Sequence, residues 1–183
     1  MPSNEVVISE TKKWISAVVV GCNFCPFAAK EMKRGTVHYE VVRTGVRTKK
    51  LRQLTNAFLQ LNKDETIETT LLIFPESFTS FDSFVQLLAN AEVELEKSGY
   101  EGVFQVASFH PMYLFEGADE DDPANYTNRS PYPMLQLLRE ASLTIAIDSH
   151  PDPEGIPERN ISYARKKGLA HMQVLREACF TIS

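Results

Sequence analysis

Cysteine is scarce in this chain of 183 residues: Cys22, Cys25 and Cys179 are its three. So odd and sparse a set excludes a secreted disulfide scaffold and implies free thiols in a reducing compartment. Basic residues do not dominate either. There are 19 Lys and Arg against 24 Asp and Glu, a net charge of −5, which argues against a general nucleic-acid binder with its basic face. None of the 8 glycines forms a glycine-rich phosphate loop after a predicted strand, so a Rossmann or P-loop nucleotide fold lacks its motif. Long apolar runs are missing as well. The most apolar stretch, Trp14 to Ala29, is broken by Asn23 and Pro26 and is shorter than the roughly 18 residues a membrane span needs. Met1 to Glu10 carries two acids and no lysine or arginine, unlike a signal or transit peptide. Repeats, low-complexity segments and runs of six like charges are absent too. The expectation is a soluble, cytoplasmic protein without nucleic-acid or membrane partners.

What the chain does have is an ordinary globular composition, 43% apolar and 23% charged. Its length suits a single domain, residues 1–183 with a core over about 11–177, that buries about 70% of its unfolded surface. Trp14, Ile15, Val18 and Val19 repeat at helical spacing up to Gly21. Pro26 is placed to open a second, short helix over Phe27–Met32, ended by Gly35. Val37, Tyr39 and Val41 alternate as a half-buried strand does. Leu51, Leu54, Phe58 and Leu61 make an amphipathic helix, and Thr69–Phe74 a buried strand stopped by Pro75. Phe84, Leu87, Leu88, Ala91 and Leu95 form the clearest helical stripe, with Gly99 as its C-terminal cap. Val103–Phe109 reads as a third strand. Met134, Leu138, Ala141 and Ile145 predict a helix, and Ile161, Ala164, Gly168 and Met172 a last one. Strands alternating with helices imply βαβ units. The expected fold is α/β: a small, mainly parallel sheet of about three or more strands covered by helices.

Between the third strand and the next predicted helix lie 24 residues, His110 to Pro133, with four prolines and little periodicity. Loops this long in compact domains are functional or disordered. Phe109, Tyr113, Phe115, Tyr126 and Tyr132 favour order, because disordered segments avoid aromatics.

Candidate chemistry gathers at a few positions. Cys25 precedes Pro26, and as a helix N-cap its thiolate would be favoured by unpaired N–H groups; otherwise it is a small buried hydrophobe between Phe24 and Phe27. Cys22 and Cys25 spell C-x-x-C, but a helix precedes them where a redox motif has a strand. A zinc site would need two more soft ligands, so no metal is assigned and no motif names a cofactor. His110 stands at the end of the third strand, where open parallel sheets bind ligands; it serves there as acid, base or ligand, or simply caps the strand by bonding nearby backbone. In Asn125–Pro133, Ser130 is placed to cap the following helix and favour an anion there. Arg129 offers a bidentate fork, with Asn125 and Asn128 as neutral partners. Alternatively, Arg129 pairs with Asp119, Glu120, Asp121 or Asp122 and holds the loop shut. Arg159 and Asn160 open the last helix and could add to the same pocket, or be solvated.

Four segments together carry a resemblance: Gly21-Cys-Asn-Phe-Cys-Pro-Phe-Ala28, Val106-Ala-Ser-Phe-His-Pro111, Asn125–Met134, and Pro151-Asp-Pro153 followed by Arg159-Asn-Ile161. From about Trp14 to Leu175 the chain resembles the domain-of-unknown-function family 1415. That resemblance implies no reaction, cofactor or partner. Cys25, His110, Asn125, Asn128, Arg129, Arg159 and Asn160 fall on its motif positions. Cys22 stands where the family pattern G-L-N-L-C-P-F-A has an aliphatic residue, and Gln136 where it often has histidine.

The leading reading is an intracellular small-molecule enzyme with Cys25 as thiolate or nucleophile and His110 as acid/base. Asn125, Asn128, Arg129, Ser130, Arg159 and Asn160 would orient a small anionic substrate. The alternatives are a non-catalytic module that binds a small anion, or a protein-interaction domain that uses the aromatic loop as a patch.

Overall fold

Ser3 caps a helix that the apolar spacing did not reveal. Its hydroxyl accepts from the Val6 N–H at 3.4 Å, and α1 runs over Asn4–Trp14 with Glu5 in its first turn, where an acid suits the helix dipole. The chain continues as a π-helical turn over Ile15–Val20. In this computed structural model, which describes residues 1–43, 45 and 47–180 (47 and 48 without their side chains), there follow α2 (Ala28–Arg34), β1 (Val37–Val41), α3 (Arg47–Lys63), β2 (Thr69–Ile73), α4 (Phe81–Lys97) and β3 (Phe104–Phe109). A 3-10 turn over Pro123–Thr127 leads to β4 (Met134–Arg139), α5 (Glu140–Asp148), α6 (Ile156–Lys167) and α7 (Leu169–Glu177). The last two were expected as one helix. Gly168 separates them at φ +83°, ψ 160°, a conformation that essentially only glycine adopts.

The sheet has the order β1-β2-β4-β3. β1 and β2 are parallel, and β4 runs antiparallel to both β2 and β3. It is therefore mixed, not mainly parallel as expected. The reason is a single segment. Met134–Arg139 reads as the start of a helix because Met and Leu are good helix formers, but a short continuous apolar run fits a two-faced buried strand equally well. Pairing on both sides, with Leu72↔Leu135 and Ser108↔Leu135 in register, selects the strand.

The sheet is sandwiched between two helical layers. On one face Leu71, Ile73, Met134 and Phe109 pack against Val7, Trp14, Val18, Tyr126, Ala164 and Met172. On the other, Leu72, Leu135, Leu137 and Phe104 pack against Leu54, Phe58 and Leu61 of α3 and Phe84, Leu87 and Ala91 of α4. Alternation along β4 assigns each residue its layer. Among the described residues, no helix is long and apolar enough to cross a membrane.

Candidate functional site

A cavity of about 680 Å³ opens on the first of these faces. Its floor is the sheet, with Val37, Thr69, Leu71, Gln136, Leu138, Ala107 and Phe109; its walls are the turn before α2, α5 and the start of α6. The cavity opens to solvent on one side, and polar groups in its lining can hold ordered water there. It is a space for water or a ligand. Trp14, Phe24, Phe27, Phe115, Leu143 and Ile156 belong to its apolar part; Cys25, Asn128, Asn160 and Ser142 are among its polar members, and Lys30, Arg34, Glu68 and Arg139 add charge. At the rim, Glu31 lies 3.9 Å from Lys30 and 3.8 Å from Arg34 and accepts from the Thr36 hydroxyl at 2.6 Å.

Cys25 sits in the cavity wall, half-buried, although not as the cap of α2. That helix begins at Ala28 with Phe27 at its cap position. The backbone N–H groups of Phe27 and Ala28 still approach the sulfur and favour a thiolate, but burial outweighs them and pushes the thiol above its ordinary pKa. Cys22, three residues before Cys25, is buried, and burial raises its thiol pKa while the nearby Tyr163 phenol partly offsets this. All three cysteines are free thiols.

His110 is elsewhere. Phe109, the last residue of β3, stacks edge-on against Trp14 at 5.2 Å in the cavity-side layer, and the residue just past the strand end faces the opposite way. The fully buried His110 ring lies against Phe81 and Phe84 of α4, at 5.4 and 5.0 Å. The Met112 N–H donates to Nδ1 at 2.9 Å, which leaves Nε2–H to donate to the Phe78 carbonyl at 2.7 Å. Burial holds the imidazole below its ordinary pKa, and the Phe78 bond only partly offsets this. Both ring nitrogens are thus spent on backbone. In doing so His110 holds Phe78, a bulky residue at φ +58°, where non-glycine backbone is strained. Cys25 and His110 belong to layers on opposite faces of the sheet.

The polar loop is likewise turned inward. Fully buried Asn125 accepts from the Phe115 N–H at 3.0 Å and donates to the Asp119 carbonyl at 2.9 Å. Arg129 donates to the carbonyls of Tyr113 and Glu120, at 3.0 and 2.9 Å, and stacks over Tyr126. It does hold the loop shut, through carbonyls rather than the neighbouring acids. The expected Ser130 cap is overturned: no helix follows it, its hydroxyl donates to the Tyr132 carbonyl at 2.6 Å, and β4 comes next. Arg159 is exposed, outside the cavity lining. Of the eight expected site residues, the cavity collects Cys25, Asn128 and Asn160. Nothing in the residue pattern marked Thr69 or Ala107. Gln136 had a signal, a lone polar residue inside the apolar run Met134–Leu138.

The fold and site together define an α/β protein with a four-stranded mixed sheet and a ligand-sized cavity on one face. The chain belongs to the family described as Protein of unknown function (DUF1415), which it matches over residues 6–174. No curated protein and no solved structure matches it. Among the described residues, no group of three or more His, Cys, Asp or Glu is arranged to hold a metal ion.

Proposed function

We propose that this chain is a binding protein for a mainly apolar small molecule, held in the cavity between the sheet and α5 and α6. The observation that carries this reading is the cavity itself. Its 680 Å³ falls within the roughly 300–1,000 Å³ of small-molecule sites, and its lining joins a large apolar surface to polar and charged groups at its edge. The groups expected to bind an anion support a different role, since the side chains of Asn125, Arg129 and Ser130 each bond to backbone. A reducing cytoplasmic location belongs to the same proposal, supported by three unpaired thiols.

A second reading has one observation in its favour. Two backbone N–H groups converge on Cys25, an arrangement suited to stabilising negative charge; on this reading the sulfur attacks the carbonyl of a thioester ligand, the ligand's thiolate leaves and takes up the Cys25 proton, and water then hydrolyses the acyl-cysteine to release the acid and restore the thiol. One experiment separates the readings. Trp14 is the chain's one tryptophan and lines the cavity, so titration with the uncharged dye Nile red should give saturable, one-to-one transfer from tryptophan emission and slow the alkylation of Cys25. Absence of saturable binding would remove the binding reading. Turnover of a thioester or other acyl electrophile that is lost in Cys25→Ser would replace it with the catalytic one.

A further inference from the structure

α5 walls the cavity without belonging to the core. Ser142, Leu143, Ala146 and Ser149 follow a 3–4 spacing and turn one side of this segment to the cavity, yet all nine residues of α5 are half-buried or exposed. Ile145 lines the cavity and is still 71% exposed, which sets it at the mouth. The hydroxyls of Thr144 and Ser149 bond back to the Glu140 and Ala146 carbonyls, at 3.0 and 2.8 Å, within the same segment. So short a helix is marginal by itself, since about 12–15 residues are needed in water, and this one lies over open space. Segments with few buried apolar contacts are the ones that open locally at low cost.

The two ends of α5 are held differently. At its start Arg139 donates to the carbonyls of Leu61, Asp64 and Ile67, and the Glu140 N–H donates to the Val103 carbonyl at 3.0 Å. The chain thus leaves β4 from a firm pivot. Just past its far end, the His150 ring meets Phe27 edge-on at 6.1 Å. Phe27 belongs to the opposite wall, in the turn before α2, so this contact spans the mouth. His150 is held in one pose, its Nδ1 accepting from the Asp152 N–H at 3.1 Å, while Asp152 accepts from the Gly155 N–H at 3.1 Å.

We propose that α5 is a lid on the cavity, pivoting at Arg139, latched by His150 on Phe27, and closing on a ligand that enters beneath it. The lid rests on the cavity being a binding site, as proposed above. A ligand supplies the apolar surface that Leu143 and Ala146 lack, and so favours the closed helix over the open one. The latch forms with or without ligand. Its strength therefore cancels in the affinity and shows in the rates of entry and escape.

Hydrogen exchange of the full chain, read by mass spectrometry, is the first test. Amides of residues 144–148 should exchange about tenfold faster than those of residues 160–167 in α6, and saturating Nile red should slow them about threefold or more. Exchange as slow as that of α6, or no protection by bound dye, overturns the lid. The second test is stopped-flow binding of Nile red to His150→Ala, whose side chain lies outside the cavity lining. Loss of one aromatic pair should raise both the association and the dissociation rate about threefold, with the affinity changed by less than about twofold. Unchanged rates overturn the latch, and exchange in the wild-type chain decides the matter if the variant does not fold. If the dye does not bind at all, the binding reading fails and the lid with it; if it binds while α5 exchanges no faster than α6, the lid alone fails.

Discussion

Replacing Ala107 by leucine tests whether the space over the sheet is real. Ala107 lies on β3, opposite Gln136 in the register, and lines the cavity floor. The substitution adds three carbons. At about 0.8 kcal/mol per buried CH₂, full burial would contribute about 2.4 kcal/mol, and at a half-buried position about 1 kcal/mol. For a chain of this length that raises the melting temperature by about 2–4 °C. In a tightly packed layer the same atoms would overpack the site and cost about 1–3 kcal/mol, lowering it instead. Thermal denaturation followed by circular dichroism reads the sign, and Nile red binding should weaken in the same variant because leucine occupies ligand volume. A drop of more than about 3 °C with dye binding intact would refute both the geometry and the role assigned to it.

Other expectations follow from the same contacts. Burial raises the Cys25 pKa, so its alkylation by iodoacetamide should be slow at pH 6.5 and still climbing above the ordinary thiol pKa; rapid labelling at pH 6.5, read by mass spectrometry of digests, would mean that the Phe27 and Ala28 N–H groups outweigh burial. Cys22 and Cys179, at 7% and 1% exposure, should label only on unfolding. His110 has its folded pKa lowered, so the unfolded chain binds the extra proton first and stability falls as pH drops below about 6.5 toward the folded value. Urea titrations should show a slope up to about 1.4 kcal/mol per pH unit steeper in the wild type than in His110→Gln; equal slopes would contradict the buried neutral imidazole. Asn125→Ala leaves the Phe115 N–H and the Asp119 carbonyl without their partner, a loss of about 2–4 kcal/mol, with faster proteolysis across residues 110–133. A variant within about 0.5 kcal/mol of the wild type would show that the loop is organised by other bonds.

Local pattern alone determined a good deal of this protein. The 3–4 spacing of Phe84, Leu87 and Ala91 specified α4 and its buried face, because that period matches 3.6 residues per turn. The β-branched run ending at Pro75 specified β2, all five of whose residues are buried. Aromatic content distinguished the segment after β3 from a disordered linker, and Asn125 and Tyr126 are indeed buried there. The Cys25 motif pointed to a residue in the cavity wall. What only the tertiary structure decided was direction and partnership. Met134–Arg139 has no local reason to be a strand rather than a helix; β2 and β3 on either side of it make it one, and its antiparallel entry turns the sheet mixed. Side chains alternate across a strand, so the one-residue step from Phe109 to His110 puts the histidine in the layer away from Cys25, a separation that composition and spacing cannot express. A sequence shows which polar groups exist. Hydrogen bonds between residues distant in the chain, such as Asn160 to Phe24 and Gln136 to Thr69, decide which of their atoms are left to meet a ligand.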